Sequence, residues 1–409
     1  MKARSTVAAL AHQTSSGSVQ SVAAAAERAL SRASAQPLWI DARHAAAPSY
    51  GDRVFSNSVA GLADLQRLGP SSLRGVTGAI RLVVGANRQL AVGAISQARG
   101  GNAQVLVAAN RELAAGDRKD ATGRLAAAVH SYTEAWEHAF SALAGLVAAK
   151  ATTVPSSALA AAAQEALGSR KIALAGPTLH SSQQPLMLDG KPELFFAGSE
   201  ACPFCAVQRW GLIVALGQFG TFSNLHLMQS STREPPVVRS FTFYGSTYES
   251  PYISFVPVEV LSNVPLGYGF AHLQRLSPLQ RALLGRFDPP QQTPFIDVAN
   301  RFTRVDSTVQ PGLIAGRSWT QIASSLSRPA SVPAQAIAGE AEVLTAELCE
   351  ATSGNPDSVC SAPVVKQYEA ALPLLNGEGG GCPITAMRTA ATGERAQPPP
   401  ARADRCRTG

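Results

Sequence analysis

Cys202-Pro203-Phe204-Cys205 constrains this chain more than any other stretch. Before it runs Glu193-Leu194-Phe195-Phe196-Ala197, short, apolar and aromatic, which predicts a buried strand. After it, Ala206 to Leu216 carries apolar residues at helical spacing, including Trp210 and Ile213. Two cysteines two residues apart, between a strand and a helix, are the arrangement of a redox dithiol. Cys202 falls at the helix start, where free backbone N–H groups and the helix dipole favour a thiolate. Pro203 suits the first helical position because it has no N–H to leave unpaired. Cys205 is one turn further in, within reach of a mixed disulfide on Cys202. The expected roles are therefore Cys202 as nucleophile and Cys205 as resolving thiol.

Two other readings stand beside this one. The pair would be half of a zinc site if further ligands joined it, but Cys349, Cys360, Cys382 and Cys406 form no second CxxC, so no metal is expected. It would be a redox-inert staple if oxidised, although so small a loop is usually labile.

A second feature sits about 90 residues downstream. Gln291 to Val298 reads as a strand that contains Thr293-Pro294, and proline is out of place in a strand unless it opens it or follows a cis bond. A cis Thr293–Pro294 facing the CxxC would leave the backbone before the proline free to meet an extended peptide, so both residues are candidate substrate contacts. The gap between the two features predicts a helical insertion over the active face, read at about 262–288.

The chain of 409 residues is long enough for two or three domains. Residues 1–150 read as an Ala-rich helical region, partly disordered at the start, with a loop over 41–60 and a turn at Gly116-Asp117. Within it, Tyr132, Trp136, Phe140 and Leu143 form one apolar helical face. The stretch 100–150 would either pack in a bundle, the preferred reading, or dock a protein partner. Residues 151–184 read as a linker holding a short helix and a strand at 171–174, and 331–376 as a helical hairpin. In that hairpin Cys349 and Cys360 flank a turn-rich loop and are expected to form a structural disulfide if the compartment is oxidising. Residues 377–409 are Gly-, Pro- and Arg-rich and read as a disordered tail. The net charge of +7 is spread along the chain, without the dense Lys/Arg block that nucleic-acid binding needs. No apolar run reaches the length of a transmembrane helix, and residues 6–12 are too short for a signal core.

The residues from about 185 to 375 resemble the prokaryotic domain-of-unknown-function family numbered 929. The resemblance is carried by Phe196-Ala197-Gly198-Ser199-Glu200-Ala201-Cys202-Pro203-Phe204-Cys205-Ala206-Val207-Gln208-Arg209-Trp210, by 220–225 and 250–255, and by Thr293-Pro294-Phe295. It implies an α/β, thioredoxin-like domain over 185–330 and a place in the cell envelope, usually reached through an N-terminal anchor; the Ala-rich N-terminal half is not expected to supply one. The activity expected is thiol–disulfide exchange with protein thiols or disulfides, without a cofactor. The alternative is a redox-inert thioredoxin-like binding module. Such enzymes often hold a buried carboxylate beneath the CxxC; Glu200 is the nearest acid, but its loop position suggests exposure.

Overall fold

The computed structural model describes residues 2–11, 16–35, 39–41, 44–45, 48–68, 75–169, 171–172 and 174–375. The tail expected to be disordered, with Cys382 and Cys406, lies outside the described residues.

Apart from one two-stranded ribbon and short connections, the described part of the first 150 residues is helical. Helices α1 (Lys2–Ala11) and α2 (Gly17–Ala33) are followed by strands β1 (Trp39–Asp41) and β2 (His44–Ala45). Then come α3 (Pro48–Leu68), α4 (Val76–Gln97), α5 (Ala103–Ala121) and α6 (Leu125–Thr152). One sequence expectation fails here. The predicted loop at 41–60 is largely α3, whose Val54, Phe55, Leu62 and Leu65 are buried. Of the start of the chain, expected to be partly disordered, Lys2–Ala11 is helix α1, and residues 1 and 12–15 lie outside the described residues.

Nor does Gly116-Asp117 turn the chain; α5 runs through it. Gly116 is small because α6 lies against it: a Cβ there would sit 2.4 Å from the Tyr132 ring. Asp117 accepts hydrogen bonds from Arg88 on α4, at 2.7 Å, and from the Tyr132 hydroxyl, at 2.9 Å. The aromatic face of α6 is internal: Tyr132, Trp136, Phe140 and Leu143 are buried, and Phe55 and Trp319 pack edge-on to Trp136 and Phe140. This face is used up inside the chain, as a bundle requires, and is not offered to an outside partner.

The segment 151–184 is more than a linker. Helix α7 (Ser156–Leu167) packs on the C-terminal helical layer, where the Tyr368 hydroxyl donates to the Ala163 carbonyl. The strand falls at β3 (Thr178–Leu179), while Lys171, Ile172 and Leu174 are outside any strand and residue 173 lies outside the described residues; β4 (Met187–Leu188) precedes β5 (Lys191–Ser199). The rest of the α/β region is α8 (Pro203–Leu216), β6 (Thr221–Ser223), β7 (His226–Gln229), β8 (Arg239–Thr242), β9 (Thr247–Glu249), β10 (Ser254–Leu266), β11 (Gly269–His272), α9 (Pro278–Phe287), β12 (Phe295–Val298) and β13 (Phe302–Val305). It closes with α10 (Trp319–Ser325), α11 (Val332–Ala351), α12 (Asp357–Cys360) and α13 (Pro363–Ala371).

The main sheet is mixed, in the order β11-β10-β5-β12-β13-β3. Strand β5 is central, parallel to β10 and antiparallel to β12. It is buried on both faces, which explains its unbroken apolar run. Leu194 and Phe196 face the large core that holds α8, while Phe195 and Ala197 face a smaller core closed by Leu283 and Leu284 of α9.

The helical insertion expected over 262–288 is only partly helix. Residues up to Leu266 continue β10, Gly267 turns the chain with φ +57°, and β11 returns; only 278–287 is helix. Pairing of β10 with β5 and β11 overrides the local leucine pattern. Helix α9 also covers the face of the sheet opposite α8, so it is not a lid over the expected thiol site.

Helix α11 is buried along nearly its whole length and carries three acids into the core. Arg304 of β13 pairs with Glu340, at 2.6 Å, and with Glu347; Gln208 of α8 also donates to Glu340, as does Thr308. Two carboxylates around one guanidinium leave the cluster short of positive charge, and burial pushes Glu347 up to about 7. Beyond it, Cys349 and Cys360 are joined by a disulfide, Cα–Cα 5.5 Å, that ties the end of α11 to α12.

Candidate functional site

Cys202 is the N-cap of α8 and Pro203 its first residue. The cap is a sulfur: Cys202 Sγ accepts the Cys205 N–H at 3.4 Å and donates to the Thr293 carbonyl at 3.7 Å. The Thr293–Pro294 bond is cis. The Pro294 carbonyl is held by the Asp306 N–H at 2.8 Å, and β12 begins at the next residue, beside β5. Four residues singled out in the sequence, Cys202, Cys205, Thr293 and Pro294, thus meet at one end of β5. Cys349 and Cys360 belong to a separate, structural bridge.

The two thiols are both buried, Cys202 at 3 % exposure and Cys205 at 0 %. They are not equivalent. Cys205 lies inside, where Ser199 N–H donates to its sulfur at 3.4 Å. Burial pushes its thiol well up, and the neighbouring Cys202 adds to this; Arg209 and the Ser199 N–H act in the opposite sense. Cys202 lies at the rim, against the loop that carries Thr293.

Beneath the pair is a charge network that motif reading did not assign. Arg209, one helical turn after Cys205, is fully buried. Its Nε and Nη2 donate to Glu259 of β10 at 2.8 and 2.5 Å. Glu259 lies opposite Gly198 on β5, and a Cβ at 198 would fall 2.5 Å from the Phe196 ring and 3.1 Å from Glu259 Oε2. Gly198 leaves the room that the carboxylate occupies. Glu200 corrects the expectation of exposure: it is buried, and burial first, then the charge of Glu259, pushes its carboxyl up. The signal was present in the sequence, as Arg209 and Glu259 interrupt otherwise apolar runs, but only β5–β10 pairing brings them together.

A cleft of about 770 Å³ lies elsewhere, between α6 and the segment 217–227, with Ala144, Gly145, Ala148 and Phe222 among its lining. Among the described residues no group of three or more His, Cys, Asp or Glu is arranged to hold a metal ion. Among the described residues no single helix is long and apolar enough to cross a membrane; α6 and α7 pass that test only as a pair bent by 71°.

The model of a domain of unknown function, DUF929, matches residues 178–267, the family that the sequence resembles. The matched span contains β5, both cysteines, Arg209 and Glu259, and it ends before Thr293-Pro294. No curated protein and no solved structure matches the chain.

Proposed function

We propose that the protein is a thiol–disulfide oxidoreductase of thioredoxin-like type, acting on protein disulfides or dithiols. The observation that carries this reading is the meeting of three parts: a CxxC capping a helix, Cys202 Sγ against the Thr293 carbonyl, and a cis peptide bond just after it. The order β10-β5-β12-β13 supports it, with β5 and β10 parallel, β12 and β13 antiparallel, and the CxxC helix following β5.

In the reducing direction, Cys202 as thiolate attacks one sulfur of a partner disulfide. A Cys202–partner bond forms and the first partner sulfur leaves. Cys205 then attacks Cys202 Sγ, the intramolecular bond forms and the second partner sulfur leaves. Two electrons pass to the partner, and the two thiol protons end on its two sulfurs. Oxidation is the reverse. An extended partner segment would meet the backbone at Thr293, which ends in the cis bond and not in a ladder.

Replacing Cys202 with Ser abolishes disulfide exchange with a protein substrate such as insulin, while Cys205→Ser accumulates a mixed disulfide on Cys202. Turnover that survives Cys202→Ser would reject the assignment. The alternative, a redox-inert binding module, requires a CxxC potential below about −300 mV in a glutathione titration.

A further inference from the structure

Arg209 is a fully buried cation whose Glu259 partner occupies only two of its three nitrogens. Its Nη1 is buried and has no hydrogen-bond partner. A guanidinium nitrogen left unpaired in the core is unfavourable, so its neighbours matter. One turn back along α8, at i−4, is Cys205, also fully buried.

We propose that Arg209 is a positioning residue for Cys205, a fixed positive charge under the inner sulfur that stabilises its thiolate at the resolving step. This rests on the exchange reading above and deepens it. Resolution needs a thiolate at a place where burial opposes one, and the pair is arranged to supply the missing charge. Glu259 makes Arg209 tolerable in the core, its two oxygens engaged on Nε and Nη2, and leaves Nη1 as a donor outside the pair. The charged groups around this face are Arg209 from α8, Glu259 from β10 and Glu200 from the loop after β5. Burial pushes the Cys205 thiol up most, and the charge of Arg209 works against that push. Cys205 in turn supports the charge on Arg209, along with Glu259 and Glu200.

The chemistry balances without a further reactant. The Cys205 proton ends on the departing partner sulfur, the Cys202–partner bond breaks and the Cys202–Cys205 bond forms.

The test is signed. In full-length protein carrying Cys202→Ser, the Cys205 Cβ resonance is followed by NMR against pH. Glu259→Gln leaves Arg209 uncompensated and should move the Cys205 midpoint down by about one pH unit. Replacing both partners with apolar residues, Arg209→Met with Glu259→Leu, should move it up by about as much, and in the Cys202-containing protein should slow resolution of a mixed disulfide about tenfold at neutral pH. A merely structural pair would shift neither midpoint, or both the same way, and either result overturns the proposal. If these variants do not fold, the unmutated protein decides: the Arg209 side-chain nitrogen resonances should titrate with the Cys205 midpoint, and their indifference to it overturns the proposal. Failure of Cys202 to exchange with any protein disulfide would instead reject the functional reading, and the Cys205 titration would still decide the role of Arg209.

Discussion

At the scale of single residues, the site depends on what is small as much as on what reacts. Gly198 faces Glu259 across the β5–β10 pair and touches the Phe196 ring, so any added atom displaces one of them. Gly198→Ala should cost about 1–3 kcal/mol in urea unfolding. It should also disturb exchange more than an equally destabilising substitution in the N-terminal helices, because it presses on the carboxylate that holds Arg209. A neutral effect on both would mean that the strand shifts to make room. The reactive residues themselves were legible from the chain: Cys202 and Cys205 from their spacing and flanks, Thr293-Pro294 from a proline where a strand should run. Glu200 was not, since nothing local says that a residue in a loop is roofed by β10.

At the scale of elements, α11 and its bridge form the support on which α8 rests. Helix α8 is buried on both flanks, with Gln208 turned to Glu340 of α11 and Arg209 to Glu259 of β10. The Cys349–Cys360 bridge closes a short loop, so its removal frees only a short stretch of the unfolded chain. Cys349→Ser with Cys360→Ser should lower stability by about 2–3 kcal/mol, measured by thermal melting, without abolishing exchange at Cys202. Loss of exchange in a folded double variant would make the second pair part of the redox path. The strand–helix–strand sequence around β5 was readable from hydrophobic period alone. The extent of β10 was not, because its last residues are held as strand by pairing with β11, which the local leucine pattern does not reveal.

At the scale of the whole molecule, several acids are folded into the interior without full pairing. Glu342 is buried on α11 with Oε2 unpartnered, and burial pushes it up to about 7 from 4.5. Asp297, on the α9 face of β12, is pushed to about 7 from 3.8, again by burial first. Between those unfolded and folded values the native state keeps protons that the unfolded chain has released. The stability these groups contribute is therefore full below about pH 4 and is lost as pH rises through about 7. Glu342→Gln should flatten that decline and raise stability at pH 8 by on the order of 2 kcal/mol. Urea titrations at pH 5 and 8 check it: an unchanged slope with pH would mean that Glu342 ionises freely in the folded protein.

The sequence by itself determined where a thiolate can form and which backbone can face it, because helix capping, the N–H missing from proline and the spacing of two sulfurs are local properties. It also determined the bridge between Cys349 and Cys360, through a loop short enough to close. Tertiary structure decided what surrounds those sulfurs: how deep Cys205 lies, that Arg209 is folded into the core one helical turn from it, and that α9 closes the opposite face. Those outcomes depend on strand order and on which side of β5 each neighbour packs, and both are set by contacts between residues far apart in the chain.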